Sequence, residues 1–187
     1  TFPLPGLFMV MATQNPIEQE GTYPLLEEQL DRMLLHVVVD YPGIDAERRI
    51  LQLARNEAAA IAVSKPDVIS QATIDAARKE ILAIHMAESV EDYIVHLINA
   101  TRRPGQYSED LDQLIEYGAS PRATIALDRC ARAHAWLNGR DFVSPDDVQA
   151  VAHDVLRHRL ILSFEAEATG TTPNHAIDKL LAAVPLS

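Results

Sequence analysis

Three places in the sequence carry side chains of a type that acts on phosphate groups. The candidates are Asn15, the adjacent pair Asp31 and Arg32, and Arg122. A carboxamide such as Asn15 can hydrogen-bond a phosphate oxygen and an attacking water, because it carries donors and acceptors together. The guanidinium group of an arginine binds phosphate oxygens through charge-assisted hydrogen bonds. These residue types predict a site for a polyanion, provided that the fold brings them together.

Arg122 stands at a helix start, where an acidic residue is normally preferred. In GASPRATIAL (118–127), Ser120 is a good N-cap and is followed by proline and then Arg122. The helix dipole disfavours a cation there by roughly 0.3–1 kcal/mol, and the matching start VSPDDVQAV (143–151) has two aspartates instead. An anion held at this N-terminus would meet both the free N–H groups and the guanidinium, which favours phosphate. The alternative is an arginine that is simply solvated.

The other candidates also have structural alternatives. Asn15 follows the apolar run LFMVMA (7–12), which predicts a buried strand, and ligands bind at that end of open parallel sheets. The alternative is that Asn15 merely initiates a turn with the proline after it. Arg32 near a helix C-terminus is favoured by the dipole alone, whereas Asp31 is disfavoured there. We therefore expect Asp31 to have a partner, and orienting an arginine is one such role.

The elements that must position these residues divide the chain in two. A strand over 7–12, a helix over 24–34 and a strand over 35–42 form a strand–helix–strand unit, which favours parallel strands with a right-handed crossover. Parallel sheets are buried on both faces, so two strands cannot make one alone. We expect the rest of the sheet to lie upstream, in a longer protein, and we assign 1–42 to the end of an α/β domain.

From residue 43 to residue 187 the sequence predicts an all-helical domain. Apolar residues recur at helical spacing, which predicts helices over 45–59, 73–86, 89–101, 121–137, 145–160 and 174–183. The segment between the third and fourth of these is predicted to be an irregular connection. The basic sequence RHRL (157–160) is interpreted as a solvated helix end, where positive charge suits the dipole.

Composition excludes several classes of function. The chain has 16 Lys and Arg against 27 Asp and Glu, a formal net charge of −11, which argues against a broad nucleic-acid or anionic-membrane surface. Cys130 is the only cysteine, so an intrachain disulfide and a thiolate zinc cluster are ruled out. No apolar run approaches the roughly 20 residues of a membrane span. We expect a cytoplasmic protein without membrane insertion or a metal site in this chain.

At the three candidate positions the sequence resembles one family, the MoxR group of AAA+ ATPases. ATQNPIEQEGTYPLLEEQLDRM (12–33) is similar to the family's sensor-1 asparagine followed by an EGTYPL segment and an LDRF-type ending. GASPRATIAL is similar to its sensor-2 helix start, and GRDFVSPDDVQAVAHDVLRHRL (139–160) to its lid helices. The chain departs modestly, with Leu26 for a usual proline and Met33 for a usual phenylalanine. The magnesium-chelatase motor subunits are a more distant resemblance.

The resemblance implies a mainly α fold, a helical AAA+ lid domain preceded by a short α/β remnant of a P-loop ATPase core. It implies that Asn15 positions the attacking water, that Arg32 is an arginine finger for the neighbouring subunit's ATP, and that Arg122 senses nucleotide from the lid, with Asp31 in support. ATP and Mg²⁺ would be the cofactors of the full-length protein. Identical subunits would form a ring, usually a hexamer, which often works with a von Willebrand A domain protein.

The expected role is that of a chaperone-like motor in protein maturation or in metal and cofactor insertion. The sequence contains no G-x-x-x-x-G-K-[ST] phosphate cradle, so we expect no ATP hydrolysis by this chain alone. Two other classes remain open. The chain could be a helical protein-interaction adaptor without nucleotide chemistry, its arginines bridging carboxylates of a partner, or the lid of a chelatase-like or nucleic-acid motor.

Overall fold

The computed structural model describes residues 2–14, 25–59 and 67–186, and within these it is mainly helical. The helices are α1 (Glu27–Asp31), α2 (Ile44–Ala58), α3 (Gln71–Ala83), α4 (Glu88–Arg102), α5 (Glu109–Leu114), α6 (Pro121–Leu137), α7 (Pro145–Leu156), α8 (Phe164–Ala168) and α9 (Pro173–Ala183). A 3₁₀ turn spans Pro104–Gln106, and β1 (Ile115–Tyr117) pairs antiparallel with β2 (Ile161–Leu162). The expected mainly α class is confirmed.

One hydrophobic core holds the helices from α4 onward together. Helix α6 packs most extensively against α7, and α4 and α9 close the other sides. Their buried residues form one contiguous cluster, among whose largest fully buried members are Tyr93, Leu97, Leu127, Leu156 and Leu180. Burial of such side chains contributes roughly 1.5–3 kcal/mol each, so this cluster dominates the stability of the helical domain.

The two Ser-Pro helix starts form as the sequence predicts, but they are capped differently. Ser120 Oγ accepts a hydrogen bond from the backbone N–H of Arg122 at the start of α6. At the start of α7, Ser144 and Asp147 form a reciprocal capping box. Asp147 is fully buried, and it also accepts hydrogen bonds from Arg140 Nη1 (2.6 Å) and from the ring of His134 (2.6 Å). Asp147 therefore stabilises the turn between α6 and α7 by bonding residues on both sides of it.

The connection between α4 and α6 is more ordered than the sequence predicts. It contains the 3₁₀ turn, α5 and β1, and β1 pairs with β2 some 45 residues further on. Strands of two or three residues are too short to show an alternating pattern of apolar residues. Their pairing partner is also distant in sequence. Helix α8 is equally short, at five residues, and was not predicted.

The first 42 residues differ most from the expectation. Neither 7–12 nor 35–42 forms a strand, and their apolar side chains are largely exposed, with Met9 and Val39 as examples. A strand needs a hydrogen-bonded neighbour, and the described part of the chain supplies none for either segment. Helix α1 is also shorter than the predicted 24–34, ending at Asp31. Helix α2 forms as expected, yet none of its residues is buried.

Candidate functional site

The carboxylate of Asp31 joins the end of α1 to two parts of the helical domain. Ser120 Oγ donates to Asp31 Oδ1 and Oδ2 at 2.9 Å each. Arg122 Nη1 lies 3.2 Å from Oδ2, and Arg159 Nε lies 3.3 Å from Oδ1. The side chain of Asp31 is 21% exposed and that of Arg122 is 52% exposed. The prediction that Asp31 has a partner is confirmed, and Arg122 is one of its partners.

Arg159 is the most deeply buried charge of this cluster, with a side chain only 2% exposed. Its guanidinium also donates to backbone carbonyls of the turn that follows α1, at Asp31 (3.2 Å), Met33 (2.5 Å) and Leu34 (3.3 Å). A further bond goes to the carbonyl of Val155, near the end of α7. The interpretation of 157–160 as a solvated helix end is therefore wrong. Helix α7 ends at Leu156, and the residues after it turn towards α1.

Two neighbours of Arg159 extend this contact to His36. The backbone N–H of His36 donates to the carbonyl of Asp154 at 2.8 Å, and Arg157 Nη1 donates to the carbonyl of His36. His158 Nε2 lies 3.2 Å from the carbonyl of Met33, so Nε2 carries the proton. His158 Nδ1 is buried without a partner among the described residues. The chain from Asp31 to His36 is thus docked along the C-terminal end of α7.

Close packing against α4 fixes the position of the α6 start. A Cβ added to Gly118 would lie 2.3 Å from the backbone oxygen of Thr101, so only glycine fits there. The next residue, Ala119, donates its N–H to Thr101 Oγ1 at 3.0 Å and accepts at its carbonyl from Arg102 Nε at 2.8 Å. These contacts hold Ser120 and Arg122 in register with Asp31.

Arg32 takes no part in the hydrogen bonds of this cluster among the described residues, although it is the neighbour of Asp31. Its side chain is 61% exposed, and its Nη2 forms an i, i+4 ion pair with Glu28 Oε1 at 2.6 Å. An exposed pair of this kind holds a side chain weakly, since water competes for both partners. Arg32 is therefore available to an acceptor outside this chain, whereas Asp31 is committed within it.

Burial and charge oppose each other at this site. Burial by itself would raise the pKa of Asp31, but hydrogen bonds from Ser120 and Arg122 and the charge of Arg159 outweigh it, and the pKa lies below its ordinary value. Burial lowers the pKa of His158 to about 4, and the positive charge of Arg159 acts in the same direction. The histidine is consequently neutral at pH 7. The hydrogen-bonded cluster itself pairs one carboxylate with two guanidinium groups, and Glu27 and Glu28 line the same pocket.

The structure thus brings Asp31 and Arg122 together, and it leaves Arg32 exposed in the same turn. Asn15 lies outside the described residues, so its predicted role stays a prediction. Arg159 was not predicted as a site residue. The helix dipole alone accounts for a basic residue at a helix end, so the sequence does not indicate its contacts with residues 31–34. Over the described ranges no group of three or more His, Cys, Asp or Glu side chains could hold a metal ion, and no helix is long and apolar enough to cross a membrane.

Comparison with known proteins places this arrangement in a class. Residues 109–180 match the model of the AAA lid domain, and residues 1–35 match that of the ATPase family associated with various cellular activities (AAA). A solved structure of a candidate ATPase from Cytophaga hutchinsonii superposes with a TM-score of 0.92 at 40% identity, covering 100% of this chain and 56% of that one. Arg122 and Arg159 thus lie in the part of the chain that matches the AAA lid, and Asp31 lies in the part that matches the ATPase model.

Curated relatives define the family more closely. The chain is 40% identical over 190 residues to Chaperone MoxR1 of Mycobacterium tuberculosis, covering 100% of this chain and 48% of the relative. It is 36% identical to the uncharacterized protein YeaC of Bacillus subtilis (98% and 54%) and 31% identical to Protein MoxR of Paracoccus denitrificans (95% and 55%). The chain belongs to the MoxR family of AAA+ ATPases. It spans about half the length of these relatives.

Proposed function

We propose that this chain is the C-terminal part of a MoxR-type ATPase that hydrolyses ATP in a ring, usually a hexamer, and acts as a chaperone-like motor. The work of such a motor would be protein maturation or the insertion of metals and cofactors, with a von Willebrand A domain protein as a partner. The name of the relative Chaperone MoxR1 supports the chaperone role, and the match of residues 1–35 to the AAA ATPase model supports the chemistry.

The observation that carries the proposal is the arrangement of charges around Asp31. Arg122 is held at the start of α6, beside backbone N–H groups that favour an anion. Arg32 lies in the adjoining turn, and its side chain is 61% exposed. Arg122 is thus attached to the lid and Arg32 is exposed in the adjoining turn, and such separate positions would allow contacts to two different nucleotides.

These residues fit the negative charge of a nucleotide, and the described ranges show no carboxylate cluster for a cation. Bound ATP with Mg²⁺, which other parts of the full-length protein would hold, supplies the phosphoryl group that is transferred to water. Arg122 would neutralise charge on the phosphates from the lid. Arg32 would stabilise the transferring phosphoryl group of the neighbouring subunit, a contribution of about 10³–10⁵ in rate for an arginine finger. Asn15 would orient the attacking water.

The test compares this chain with the complete protein. We expect no ATP turnover by the purified 187-residue chain, because its sequence contains no phosphate cradle. In the complete protein, Arg32→Ala is expected to lower kcat by about 10³ or more, and Arg122→Ala to weaken both ATP binding and turnover. The exposed Arg129 on the same helix as Arg122 provides a matched control, and Arg129→Ala should leave the rates unchanged.

The same variants distinguish an adaptor from a motor. The ion pair of Arg122 with Asp31 shows that this arginine can be satisfied by a carboxylate, which an acidic partner could also supply. An adaptor would bind its partner equally well with and without ATP, and Arg122→Ala would weaken that binding. ATP turnover that survives both arginine substitutions would refute the proposed roles of these residues.

A further inference from the structure

We propose that Arg159 is a positioning residue for Arg32, because it holds the turn that carries Arg32 against the end of lid helix α7. The proposal rests on the function proposed above, in which Arg32 contacts ATP in the neighbouring subunit. Arg159 would touch neither nucleotide nor water. It would act through the backbone of the turn formed by residues 31–34.

The hydrogen bonds of Arg159 have the pattern of a helix cap supplied from another element. The last carbonyls of an α-helix have no partner within the helix and must find one elsewhere. Arg159 donates to the carbonyl of Asp31, which is the last residue of α1, and to the carbonyls of Met33 and Leu34 in the turn after it. Its Nε also reaches the Asp31 carboxylate. One guanidinium therefore fixes four acceptors within four residues.

Within the described residues, helix α1 is oriented mainly by the polar contacts at its C-terminal end. It has only five residues and none of them is buried. A helix this short is not stable in isolation, since nucleation is unfavourable and the gain per residue is small. Its direction relative to the lid is therefore set by the polar contacts of Asp31 with Ser120, Arg122 and Arg159, and by the docked segment that follows.

The burial of Arg159 makes this arrangement well defined. Taking a guanidinium out of water is costly unless its donors are all satisfied in good geometry. With its side chain 2% exposed, Arg159 tolerates few alternative positions of the turn. Arg32 lies between two residues whose carbonyls Arg159 holds, so a shift of the turn displaces Arg32. Misplacement of a catalytic group by about 1 Å can cost 10²-fold in rate.

The first step of the test measures the structural coupling on the 187-residue chain, without nucleotide. In Arg159→Met, the hydrogen-bonded amides of Arg32, Met33 and His36 should exchange hydrogen at least about 10-fold faster than in the parent chain, since their docked state is lost. The amides of α4 should keep their protection, which also shows that the domain has folded. Arg132→Met is the matched control, because Arg132 is a half-buried lid arginine whose bonds go to Asp128 and Ile84. It should leave residues 32–36 unchanged.

The second step measures turnover in the complete ATPase. Arg159→Met should lower kcat by about 10- to 100-fold while KM for ATP changes less than about 3-fold. Arg159→Lys should lie between the parent and Arg159→Met, since a single ammonium cannot reach four acceptors at once. In the Arg32→Ala background, Arg159→Met should cause no further loss, because the group it positions is already absent. In the Arg122→Ala background it should still cause its full loss.

Different outcomes overturn different statements. Full activity of Arg159→Met, in a protein whose Arg32→Ala variant is inactive, sinks the positioning role and leaves the proposed function standing. Multiplicative losses in the Arg32→Ala background also sink it, because Arg159 would then act through another group. If the α4 amides lose their protection in Arg159→Met, that variant has not folded. The same measurements on Arg159→Lys then test the positioning role. Full activity of Arg32→Ala refutes the proposed function itself.

Discussion

Removal of the charge of Asp31 should destabilise the chain by a predictable amount. In Asp31→Asn the side chain keeps its shape but loses the negative charge that Ser120, Arg122 and Arg159 share. Hydrogen bonds to charged groups contribute about 1.5–3 kcal/mol, against about 1 kcal/mol for neutral ones. Arg122 is half exposed and its share is screened, so the bond to Arg159 dominates. We expect a loss of about 2 kcal/mol in the free energy of unfolding.

Urea denaturation measures this loss. With a slope of about 2 kcal/mol per molar urea, the midpoint should fall by about 1 M. Asp110→Asn is a matched control, because Asp110 also pairs with a cation, Lys179, but its side chain is 70% exposed. Its midpoint should not change measurably. If the two variants shift equally little, the buried Asp31 cluster does not stabilise the chain and the reasoning fails.

The dependence on pH provides an internal check of the same prediction. The pKa of Asp31 is lower in the folded chain than its usual value. The unfolded chain therefore takes up the proton first as the pH falls, and the stabilising contribution of Asp31 is complete only above about pH 4. The difference between the parent chain and Asp31→Asn should shrink as the pH falls below this value. A difference that stays constant down to pH 2 would show that charge is not its cause.

Three further outcomes are expected. Gly118→Ala should lower the unfolding free energy by about 2 kcal/mol in thermal melts, because its Cβ would meet the backbone oxygen of Thr101, whereas Gly43→Ala, with open space around it, should have little effect. Stability should fall between pH 6.5 and pH 4, by at most about 3 kcal/mol, because the pKa of His158 is lowered to about 4 and the unfolded chain binds its proton first; His158→Gln should abolish this slope. Burial raises the pKa of the Cys130 thiol to about 11, so iodoacetamide should modify it far more slowly in the native chain than in urea.

Each of these outcomes has a clear opposite. If Gly118→Ala and Gly43→Ala lower the unfolding free energy equally, the α6 start is not packed against α4. A pH slope that persists in His158→Gln would assign the titration to another group. Rapid alkylation of native Cys130 would contradict its burial in the core.

The sequence was most informative where a local signal determines the structure. Helix α6 spans the predicted 121–137, because Ser120 and the following proline start it and the Asn138–Gly139 turn ends it. The apolar runs 7–12 and 35–42 have the composition of strands, but a strand also requires a neighbour, and composition cannot show whether the chain provides one. The candidate site was predicted in part. The charges of Asp31 and Arg122 are unfavourable where they stand in their helices, which indicated that each interacts with another group.

What the sequence could not show was which partners these charges have. Asp31 and Arg122 are 91 positions apart, and no periodicity connects them. Arg159 was hidden for a different reason, since the helix dipole alone accounts for a cation after α7. Its tertiary contacts depend on the turn after Leu156. The apolar pattern of α7 continues past this residue, so the sequence does not show that the helix ends there. Long-range polar contacts of this kind are determined by packing rather than by local propensity.

Arg122 and Arg32 are proposed to contact ATP from the lid and from the neighbouring subunit. A structure of the complete assembly bound to a non-hydrolysable ATP analogue tests this proposal most directly. We predict that the guanidinium groups of Arg122 and of Arg32 from the adjacent subunit lie within about 3 Å of phosphate oxygens. An assembly in which both arginines face bulk solvent, with Arg122 still paired to Asp31 and no phosphate in reach, would contradict it.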